Sequence, residues 1–515
     1  MNQTSTPQSP KALALAVAAT INPQATGLVE YRSEGRLLII GDTNRVSEIL
    51  PRISDKLRAH ALLTDNATQP PFGLVFEPVD GGSIQVSGYL GAFEVTSNAP
   101  VQRADIVLDL QSTPSLTMYL KPAGYFSPGN DEAALTTAID SANELIGRFD
   151  KPQYFGYKEN ICAHSASEIE GCRACIDACP AQAIISIGAK VEVNPHLCQG
   201  GGTCATVCPT GAMTYRYPSP NDTLDRIRRL LRTYHQAGGK DAQLVLHGES
   251  YDPPASGSDQ LPMTLEEIGS VGIEIWLAAL AFGARGVHLA VPTDSMLADP
   301  IIQSLQQQAD IANNILAGLG FPPAIQWLDN EAPRAIMPTI KAATFGATGG
   351  KRETLFAAVD HLVAQADNPP AVISLPVGAP LGRIQVDTSG CTLCMSCVSV
   401  CPAKALGDGG GEPALRIYEA NCVQCGLCES ACPEQVITRE PRLLTDGKRR
   451  LEPVVLHQEP PFHCIRCDKA FATQSVIERM TEKLAGHHMY QDPAAMNRLK
   501  MCADCRVKDM MSDDA

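Results

Sequence analysis

The sequence contains no uninterrupted apolar run long enough to cross a bilayer, although 44% of its 515 residues are hydrophobic. We therefore predict that it has no membrane span. Positive charge is also scarce, because 41 Lys and Arg residues stand against 56 Asp and Glu residues and give a formal net charge of −15. A negative chain repels nucleic acid and anionic membrane surfaces, so neither is expected as a partner.

The N-terminus lacks the basic segment of an export signal. Residues 12–19 (ALALAVAA) are apolar, but the preceding MNQTSTPQSPK contains one Lys and no Arg. Both a basic n-region and a twin-arginine pair are thus missing. We predict a cytoplasmic protein in which residues 1–25 are a flexible leader or a helix that packs on the body. A reducing cytosol also suits unpaired cysteines.

Cysteine, in contrast, is abundant, with 19 residues in the chain. The number is odd, and the chain is far larger than the small secreted domains that depend on disulfides. The cysteines fall into three groups, at residues 162–208, 391–432 and 464–505. This distribution indicates metal binding.

The middle group repeats the pattern C-x2-C-x2-C-x3-C-P twice, as CTLCMSCVSVCP and CVQCGLCESACP. In bacterial two-cluster ferredoxins with this spacing, the fourth Cys of each run ligates the cluster of the other run. The pattern therefore predicts two iron–sulfur sites. One takes Cys391, Cys394, Cys397 and Cys432, and the other takes Cys422, Cys425, Cys428 and Cys401. Structural zinc and free thiols are the alternatives.

The first group departs from this pattern at two positions. In GCRACIDACP, Ile169 stands where the first ligand is expected, so Cys162 is predicted to serve instead across a bulged loop, AHSASEIEG. In CQGGGTCATVCP, Gly201 stands where the middle Cys is expected. One predicted site is complete, with Cys162, Cys172, Cys175 and Cys208, and the other has three thiolates, from Cys198, Cys204 and Cys179.

A missing thiolate leaves one iron corner open. The sequence therefore predicts three [4Fe–4S] clusters and a fourth cluster at Gly201 of a different kind. This fourth cluster is a [3Fe–4S] centre, or a labile [4Fe–4S] centre with water or another exogenous ligand. The alternative is that Gly201 marks a lost or degraded site.

The last group consists of two C-x2-C pairs, Cys464 with Cys467 and Cys502 with Cys505. Four thiolates from two such pairs are typical of a tetrahedral structural zinc site. A rubredoxin-like iron and a fifth cluster are the alternatives. Residues 473–485 (TQSVIERMTEKLA) are predicted to form a helix between the pairs.

The segments between the cysteine groups have the alternating pattern of α/β domains. In the first, the strand LLIIG is followed by a helix predicted over residues 43–57, and its turn, GDTNRV, lacks the glycines of a dinucleotide site. In the second, Asp222 is predicted to cap a helix, and the strands QLVLH, GVHLAV and AIQWL alternate with helical stretches such as TLEEIGSVGIEIWLAALAFG. This alternation indicates a parallel, doubly wound sheet.

The predicted fold class is α/β plus α+β, with two bacterial-type two-cluster ferredoxin modules inserted among parallel-sheet α/β domains and a C-terminal four-cysteine zinc-knuckle segment. The predicted divisions are a leader (1–25), an N-terminal α/β domain (26–158), ferredoxin module 1 (159–218), a middle α/β domain (219–380), ferredoxin module 2 (381–440) and the C-terminal segment (441–515).

The chain resembles proteobacterial multi-cluster ferredoxin-type proteins of the kind encoded beside molybdenum or tungsten formate dehydrogenases. The matching segments are GYLGAFE, the ICAHS-to-CP run, GCTLCMSCVSVCPAKAL, CVQCGLCESACPEQVI, and HCIRCDKAF with MCADCRV. The N-terminal half and the region after module 1 are similar to pieces of the heterodisulfide reductase flavoprotein and hydrogenase delta subunits. Gly201 replaces a cysteine that relatives usually have, and the flavin-binding glycines are missing, so flavin chemistry is not expected.

The sequence therefore predicts an electron-transfer protein, because clusters bound by cysteine carry single electrons. The resemblance implies a redox partner, formate dehydrogenase, from which electrons pass to another acceptor. One alternative is a maturation or assembly factor for a neighbouring metalloenzyme. Another is an oxidoreductase subunit that binds substrate at the open iron corner. We predict no catalytic residue, since no nucleophile elbow, Walker A motif or paired catalytic carboxylate is visible.

Overall fold

The structure is a computed structural model, and it describes residues 9–65, 74–79, 84–249, 257–291, 300–328, 335–346 and 349–513. It begins with a helix, α1 (Pro10–Ala18), that Ser9 caps by accepting a hydrogen bond from the Ala12 N–H. Ala14 and Ala18 are buried in the same core as the helix Pro220–Gln236. Residues 10–18 of the predicted leader therefore form a helix that packs on the body. Residues 1–8 lie outside the described residues.

The N-terminal region is built on a parallel sheet. Its elements are β1 (Leu28–Ser33), β2 (Arg36–Gly41), α2 (Thr43–Ile49), β3 (Arg58–Leu63), β4 (Val75–Pro78), β5 (Gln85–Ser87), β6 (Phe93–Thr96), β7 (Gln102–Ala104), β8 (Ile106–Asp109), β9 (Tyr125–Phe126), α3 (Glu132–Glu144) and β10 (Gly147–Pro152). The parallel sheet has the order β4-β3-β2-β8-β9, while β5-β6-β7 and β1-β10 are antiparallel.

One helix of this region is shorter than predicted. The expected helix over residues 43–57 ends at Ile49, and a single 3-10 turn follows at Leu50–Arg52. Pro51 lacks the N–H that a continuing helix needs, and Ile53 is already extended, with a ψ of 132°. The apolar periodicity was correct for the α2 face, where Val46 and Ile49 are fully buried.

Module 1 consists of short elements around the first cysteine group. They are β11 (Phe155–Tyr157), β12 (Ser165–Ala166), β13 (Ile169–Glu170), α4 (Ala174–Asp177), β14 (Ile184–Ile187), β15 (Lys190–Val193), α5 (Thr203–Val207) and β16 (Met213–Tyr215). The loop that was expected to bulge between Cys162 and Cys172 is a small hairpin of β12 and β13, turned by Ser167 and Glu168 at φ values of 50° and 64°.

The middle region is a second parallel α/β unit. Its elements are α6 (Pro220–Gln236), β17 (Gln243–Gly248), β18 (Gln260–Leu265), α7 (Ile273–Ala281), β19 (Gly286–Ala290), α8 (Pro300–Gly318), β20 (Ile325–Trp327) and α9 (Lys351–Gln365). The sheet order is β18-β17-β19-β20, and every pairing is parallel. The prediction of parallel-sheet α/β domains is confirmed in both regions.

Two details of the middle region differ from the sequence-based prediction. Ser219, not Asp222, caps α6, and Asp222 closes a capping box by accepting from the Ser219 N–H. The stretch TLEEIG begins in strand β18 instead of a helix. Pro262 obscured this strand, since proline is found in strands mainly at sheet edges and β18 is an edge strand.

Module 2 and the C-terminal segment complete the chain. Their elements are β21 (Val372–Ser374), β22 (Gly382–Val386), α10 (Ser396–Ser399), β23 (Leu406–Gly407), β24 (Ala414–Tyr418), α11 (Leu427–Ser430), β25 (Ile437–Leu444), α12 (Gly447–Leu451), β26 (Pro453–Gln458), β27 (Pro461–His463), β28 (Ala470–Thr473), α13 (Gln474–Leu484), α14 (Pro493–Leu499) and α15 (Ala503–Asp513). The predicted helix between the last cysteine pairs is present as α13. Among all the described helices, none combines the length and apolarity of a membrane span.

Candidate metal centres

The cysteine runs that begin at Cys198, Cys391 and Cys422 share one backbone pattern. In each run, the second and fourth residues after the first Cys have a positive φ. These residues are Gly200 (82°), Gly202 (77°), Leu393 (54°), Met395 (60°), Gln424 (57°) and Gly426 (86°). Left-handed residues at such positions turn backbone N–H groups inward and form a concavity suited to an anion. The loops are therefore shaped to surround a negatively charged group.

The end of each run is equally regular. The third residue after the fourth Cys is left-handed in all four runs, at Gln182 (47°), Gly211 (73°), Lys404 (51°) and Gln435 (55°). This bend brings a backbone N–H back to the sulfur, so that Ala183 donates to Cys179 Sγ at 3.3 Å and Ala405 donates to Cys401 Sγ at 3.2 Å. A Pro directly after each fourth Cys ends the preceding short helix.

Module 2 brings its eight cysteines together in two sets, each around its own small cavity. Site 3 is lined by Cys401, Cys422, Cys425 and Cys428. Site 4 is lined by Cys391, Cys394, Cys397 and Cys432. These are the two sets that the crossed rule groups from the sequence.

Site 1 consists of Cys162, Cys172, Cys175 and Cys208 in module 1. The β12–β13 hairpin returns the chain, because Cys172 N–H donates to Ala163 O at 2.9 Å and so places Cys172 beside the residue that follows Cys162. Burial raises the pKa of Cys175 to about 12, and the thiolate charges of the other three cysteines add to the rise. The four sulfurs are therefore close enough to repel one another when ionised.

Site 2 consists of Cys179, Cys198 and Cys204, which line a further small cavity together with Gly200, Gly201 and Gly202. Burial raises the pKa of Cys204 well above its usual value, and the charges of Cys198 and Cys179 raise it further. The structure thus brings the three predicted thiolates together and places Gly201 in the wall of the same cavity.

These sites fit iron–sulfur clusters by the chemistry of their donors. Burial raises the pKa of Cys172 to about 11 and that of Cys397 to about 12, and nearby thiolates contribute to both shifts. Buried thiols that repel one another ionise only where a cation compensates them. Iron supplies that charge, and the inward N–H groups stabilise the sulfurs. No sequence signal other than the cysteine spacing was needed to find the sites.

The C-terminal site differs from these. The sulfurs of Cys464, Cys467, Cys502 and Cys505 all lie within 4.8 Å of one another, which suits one tetrahedral metal ion. Burial opposes ionisation of Cys464, but N–H groups of Cys502, Arg466 and Cys467 outweigh it and lower the pKa to about 6. The Cys502 N–H donates at 3.3 Å. His463 is exposed and bonds through Nδ1 to Asp468 O at 2.8 Å.

Two segments of the chain match known protein families. Residues 169–212 match one family described as a 4Fe-4S dicluster domain, and residues 390–437 match another of the same description. The chain contains two ferredoxin-type dicluster domains. A search of curated proteins found no match. Cys162 precedes the first matched segment, so its assignment to site 1 rests on the structure: the β12–β13 hairpin and its closeness to Cys175.

No sequence motif marked the residues by which the N-terminal region contacts the first dicluster domain. Lys151 Nζ donates to Cys198 O at 2.6 Å and to His196 O at 3.1 Å. The Tyr31 hydroxyl also donates to His196 O, at 2.6 Å, and Tyr89 stacks on the His196 ring. Burial lowers the pKa of Lys151 to about 8. Lys151 and its aromatic neighbours therefore hold the backbone that leads into Cys198 of site 2.

Helix α9 binds both dicluster domains at once. Lys351 Nζ donates to Ala205 O at 2.8 Å in the first domain. The next residue, Arg352, donates to Ala420 O at 2.7 Å and to Cys422 O at 3.1 Å in the second. Burial lowers the pKa of Arg352 to about 10. These two side chains fix the positions of the domains relative to each other, and neither was marked by a sequence motif.

The dicluster domains touch where site 1 meets site 3. A Cβ added to Gly171 would lie 2.6 Å from Leu427 Cγ, so only glycine permits this approach. Gly171 precedes Cys172, and Leu427 precedes Cys428. After burial and the charge of Cys208, the thiolate of Cys425 is the next contribution that raises the pKa of Cys172. The two sites are therefore immediate neighbours across the domain boundary.

Thiolate charges also act between sites 1 and 2 and between sites 3 and 4. Besides burial and its own site, the charges of Cys175 and Cys208 in site 1 raise the pKa of Cys204 in site 2. Likewise, burial raises the pKa of Cys428 in site 3, and Cys397 in site 4 contributes to the rise. Sites 1 and 2 share the cysteine runs of module 1, sites 3 and 4 share those of module 2, and the modules meet beside sites 1 and 3 at Gly171 and Leu427, so the order is 2, 1, 3, 4.

Proposed function

We propose that the protein is an iron–sulfur electron carrier that relays electrons between a dehydrogenase and a second acceptor. Clusters held by thiolates carry one electron at a time. The observation that carries the proposal is the uninterrupted order of sites 2, 1, 3 and 4, which crosses from one domain to the other at Gly171 and Leu427. The chain's own role is to hold these sites in line and to keep them largely dry.

The proposed cofactors are [4Fe–4S] clusters at sites 1, 3 and 4. Site 2 takes a fourth cluster, which is either [3Fe–4S] or a labile [4Fe–4S] with an exogenous ligand. The C-terminal four-cysteine site takes zinc, because four thiolates with tetrahedral spacing and a closed shell are typical of structural zinc.

Site 4 is proposed as the face for a redox partner. Cys394 is the only exposed cysteine among the ferredoxin-type sites of the described chain, whereas the three cysteines of site 2 are only partly exposed. An electron from another protein therefore meets site 4 first. Formate dehydrogenase is the partner that the sequence resemblance suggests.

Mixing the oxidised protein with formate-reduced formate dehydrogenase tests the relay. We expect the cluster absorbance to bleach within the mixing experiment, since site 4 is open to the partner. Stopped-flow absorbance with and without formate makes the measurement. Absence of bleaching, together with loss of cofactor insertion into the dehydrogenase of a deletion strain, would replace the relay with an assembly role.

A Gly171→Ala variant tests the crossing between the domains. The new Cβ collides with Leu427 and with Ala163 O, so we expect the domains to separate and transfer from site 3 to site 1 to slow several-fold. Freeze-quench spectroscopy of the slower bleaching phase measures this rate. Gly486→Ala is the matched control, because a Cβ there meets open space. An unchanged rate at full iron content would contradict the crossing point.

Replacing Cys464 and Cys502 by Ser tests the C-terminal site. We expect the double variant to lose its zinc while the cluster absorbance stays unchanged, since neither sulfur belongs to sites 1 to 4. Metal analysis by mass spectrometry and the visible spectrum together give the result. If cluster iron falls in proportion to the zinc, the C-terminal site is not an independent zinc site.

A further inference from the structure

Gly201 lies in a loop that keeps the conformation of a cluster-binding run. Gly200 and Gly202 on either side of it have φ values of 82° and 77°. The residues that flank Cys394 and Cys425, the cysteines at the equivalent position, have the same left-handed conformation. A loop that had lost its cluster would have no reason to retain these turns. The conformation therefore opposes the alternative that Gly201 marks a degraded site.

The place of the missing side chain is filled from outside the loop. A Cβ added to Gly201 would lie 3.1 Å from Leu120 Cδ1, 3.2 Å from Pro180 Cγ and 3.4 Å from Ile301 Cδ1. All three neighbouring atoms are carbon, and Gly201 itself is buried. We call Leu120, Pro180 and Ile301 the apolar wall. The apolar wall occupies the space through which solvent would have to reach an open iron corner.

The backbone carbonyls of Gly200 and Gly201 beside this wall already accept hydrogen bonds. Gly201 O accepts from the Thr203 N–H at 2.9 Å, and Gly200 O accepts from the Tyr215 hydroxyl at 2.8 Å. Gln199 Nε2 donates to Leu197 O at 3.1 Å, and Thr203 Oγ1 donates weakly to Gly201 O at 3.5 Å. A bound water needs two to four polar partners. Among the described residues, the side chains nearest Gly201 are apolar and offer none.

We infer that site 2 holds a [3Fe–4S] cluster whose missing corner is sealed by the apolar wall, and that it is not a substrate site. The inference rests on the proposed function in that it assumes clusters in the dicluster domains. It goes further in deciding between the two kinds of cluster. A fourth iron would need a further ligand, and the described side chains at that corner present only carbon atoms. Site 2 then ends the relay without exchanging ligands with solvent.

The first test uses the wild-type protein, purified without oxygen. A reduced three-iron cluster takes up one ferrous ion to become a four-iron cluster with no net change in electrons. We expect the oxidised protein to show the EPR signal of a three-iron cluster. This signal should return at full intensity after incubation with ferrous iron and dithionite, followed by reoxidation. No such signal at the outset, or loss of the signal with one extra iron retained per chain, would overturn the inference.

The second test changes the corner itself. Gly201→Cys should lose the three-iron signal and gain one iron per chain, because it restores the thiolate between the two left-handed glycines. Gly201→Ala is the matched control, since it adds the same Cβ without sulfur and should keep the signal. If Gly201→Cys folds with its other clusters and still shows a three-iron signal, the loop does not position a fourth ligand, and the inference fails.

The third test opens the apolar wall. Leu120→Ala should let ferrous iron and a water ligand enter, so that the three-iron signal no longer returns after incubation. Leu451→Ala removes the same atoms from a side chain that is 68% exposed and should behave as wild type. A Leu120→Ala protein that also behaves as wild type would show that the wall does not seal the corner.

These results are separable from those on the proposed function. A normal relay without the three-iron signal overturns the sealed site alone. The expected signal in a protein that accepts no electrons from any partner overturns the relay alone.

Discussion

Replacing both Cys422 and Cys425 by Ala is expected to divide the relay into two unconnected halves. Both line site 3, and Cys425 also lies beside Cys172 of site 1, so the loss of two thiolates removes the cluster at the domain boundary. Electrons that enter at site 4 would then stop there. We expect rapid bleaching of one cluster only, with transfer to sites 1 and 2 slowed by more than an order of magnitude. Freeze-quench EPR after mixing with a reduced partner resolves the two sets of clusters.

The metal content of the variant has to be measured, and a second variant has to serve as a control. Its iron and sulfide should fall by the content of one cluster, and Val377→Ala should leave both metal content and rates unchanged, since Val377 is 96% exposed and lies outside both domains. If sites 1 and 2 are reduced in the Cys422→Ala/Cys425→Ala protein as fast as in wild type, electrons do not pass through site 3.

Replacing Trp276 by Ala is expected to cost about 3–5 kcal/mol of unfolding free energy. Trp276 is the largest fully buried side chain of the described residues, and it lies in α7, whose nine residues are all buried. Truncation leaves a cavity between α7 and its neighbours in the middle core. Urea unfolding followed by far-UV circular dichroism measures the loss.

Trp276→Phe is the matched control for this cavity. The indole Nε1 finds no acceptor among the described residues, so the buried N–H contributes no hydrogen bond that Phe would forfeit. We expect the Phe variant to lose much less stability than the Ala variant. Equal losses in the two variants would show that the indole has a partner and that packing is not the main contribution.

The sequence alone determined the cysteine groups and their crossed arrangement in module 2. Regular spacing is local information, and the left-handed residues at Leu393 and Met395 belong to the same short run that carries the cysteines. The parallel sheets were also predictable, because apolar strand segments alternate with helical segments along the sequence. The family matches at residues 169–212 and 390–437 confirm the ferredoxin-type domains.

Each helix or strand that differs from its sequence-based prediction does so because of residues within that segment. Ser219 and Asp222 both suit a helix N-terminus, and only the backbone shows which one precedes the first turn. Strand β18 was missed because it contains Pro262, and proline is confined to edge strands such as β18. The early end of α2 follows from Pro51, whose effect on the helix outweighed the apolar periodicity.

Only the tertiary structure decided how the sites are connected and closed. The order 2, 1, 3, 4 depends on the contact between Gly171 and Leu427, which are far apart in the chain. The sequence showed that Gly201 lacks a thiolate, but it left open whether solvent fills the gap. Leu120 and Ile301 answer that question from distant segments. Spacing along a chain specifies which donors one loop can offer, whereas packing between loops decides what reaches them.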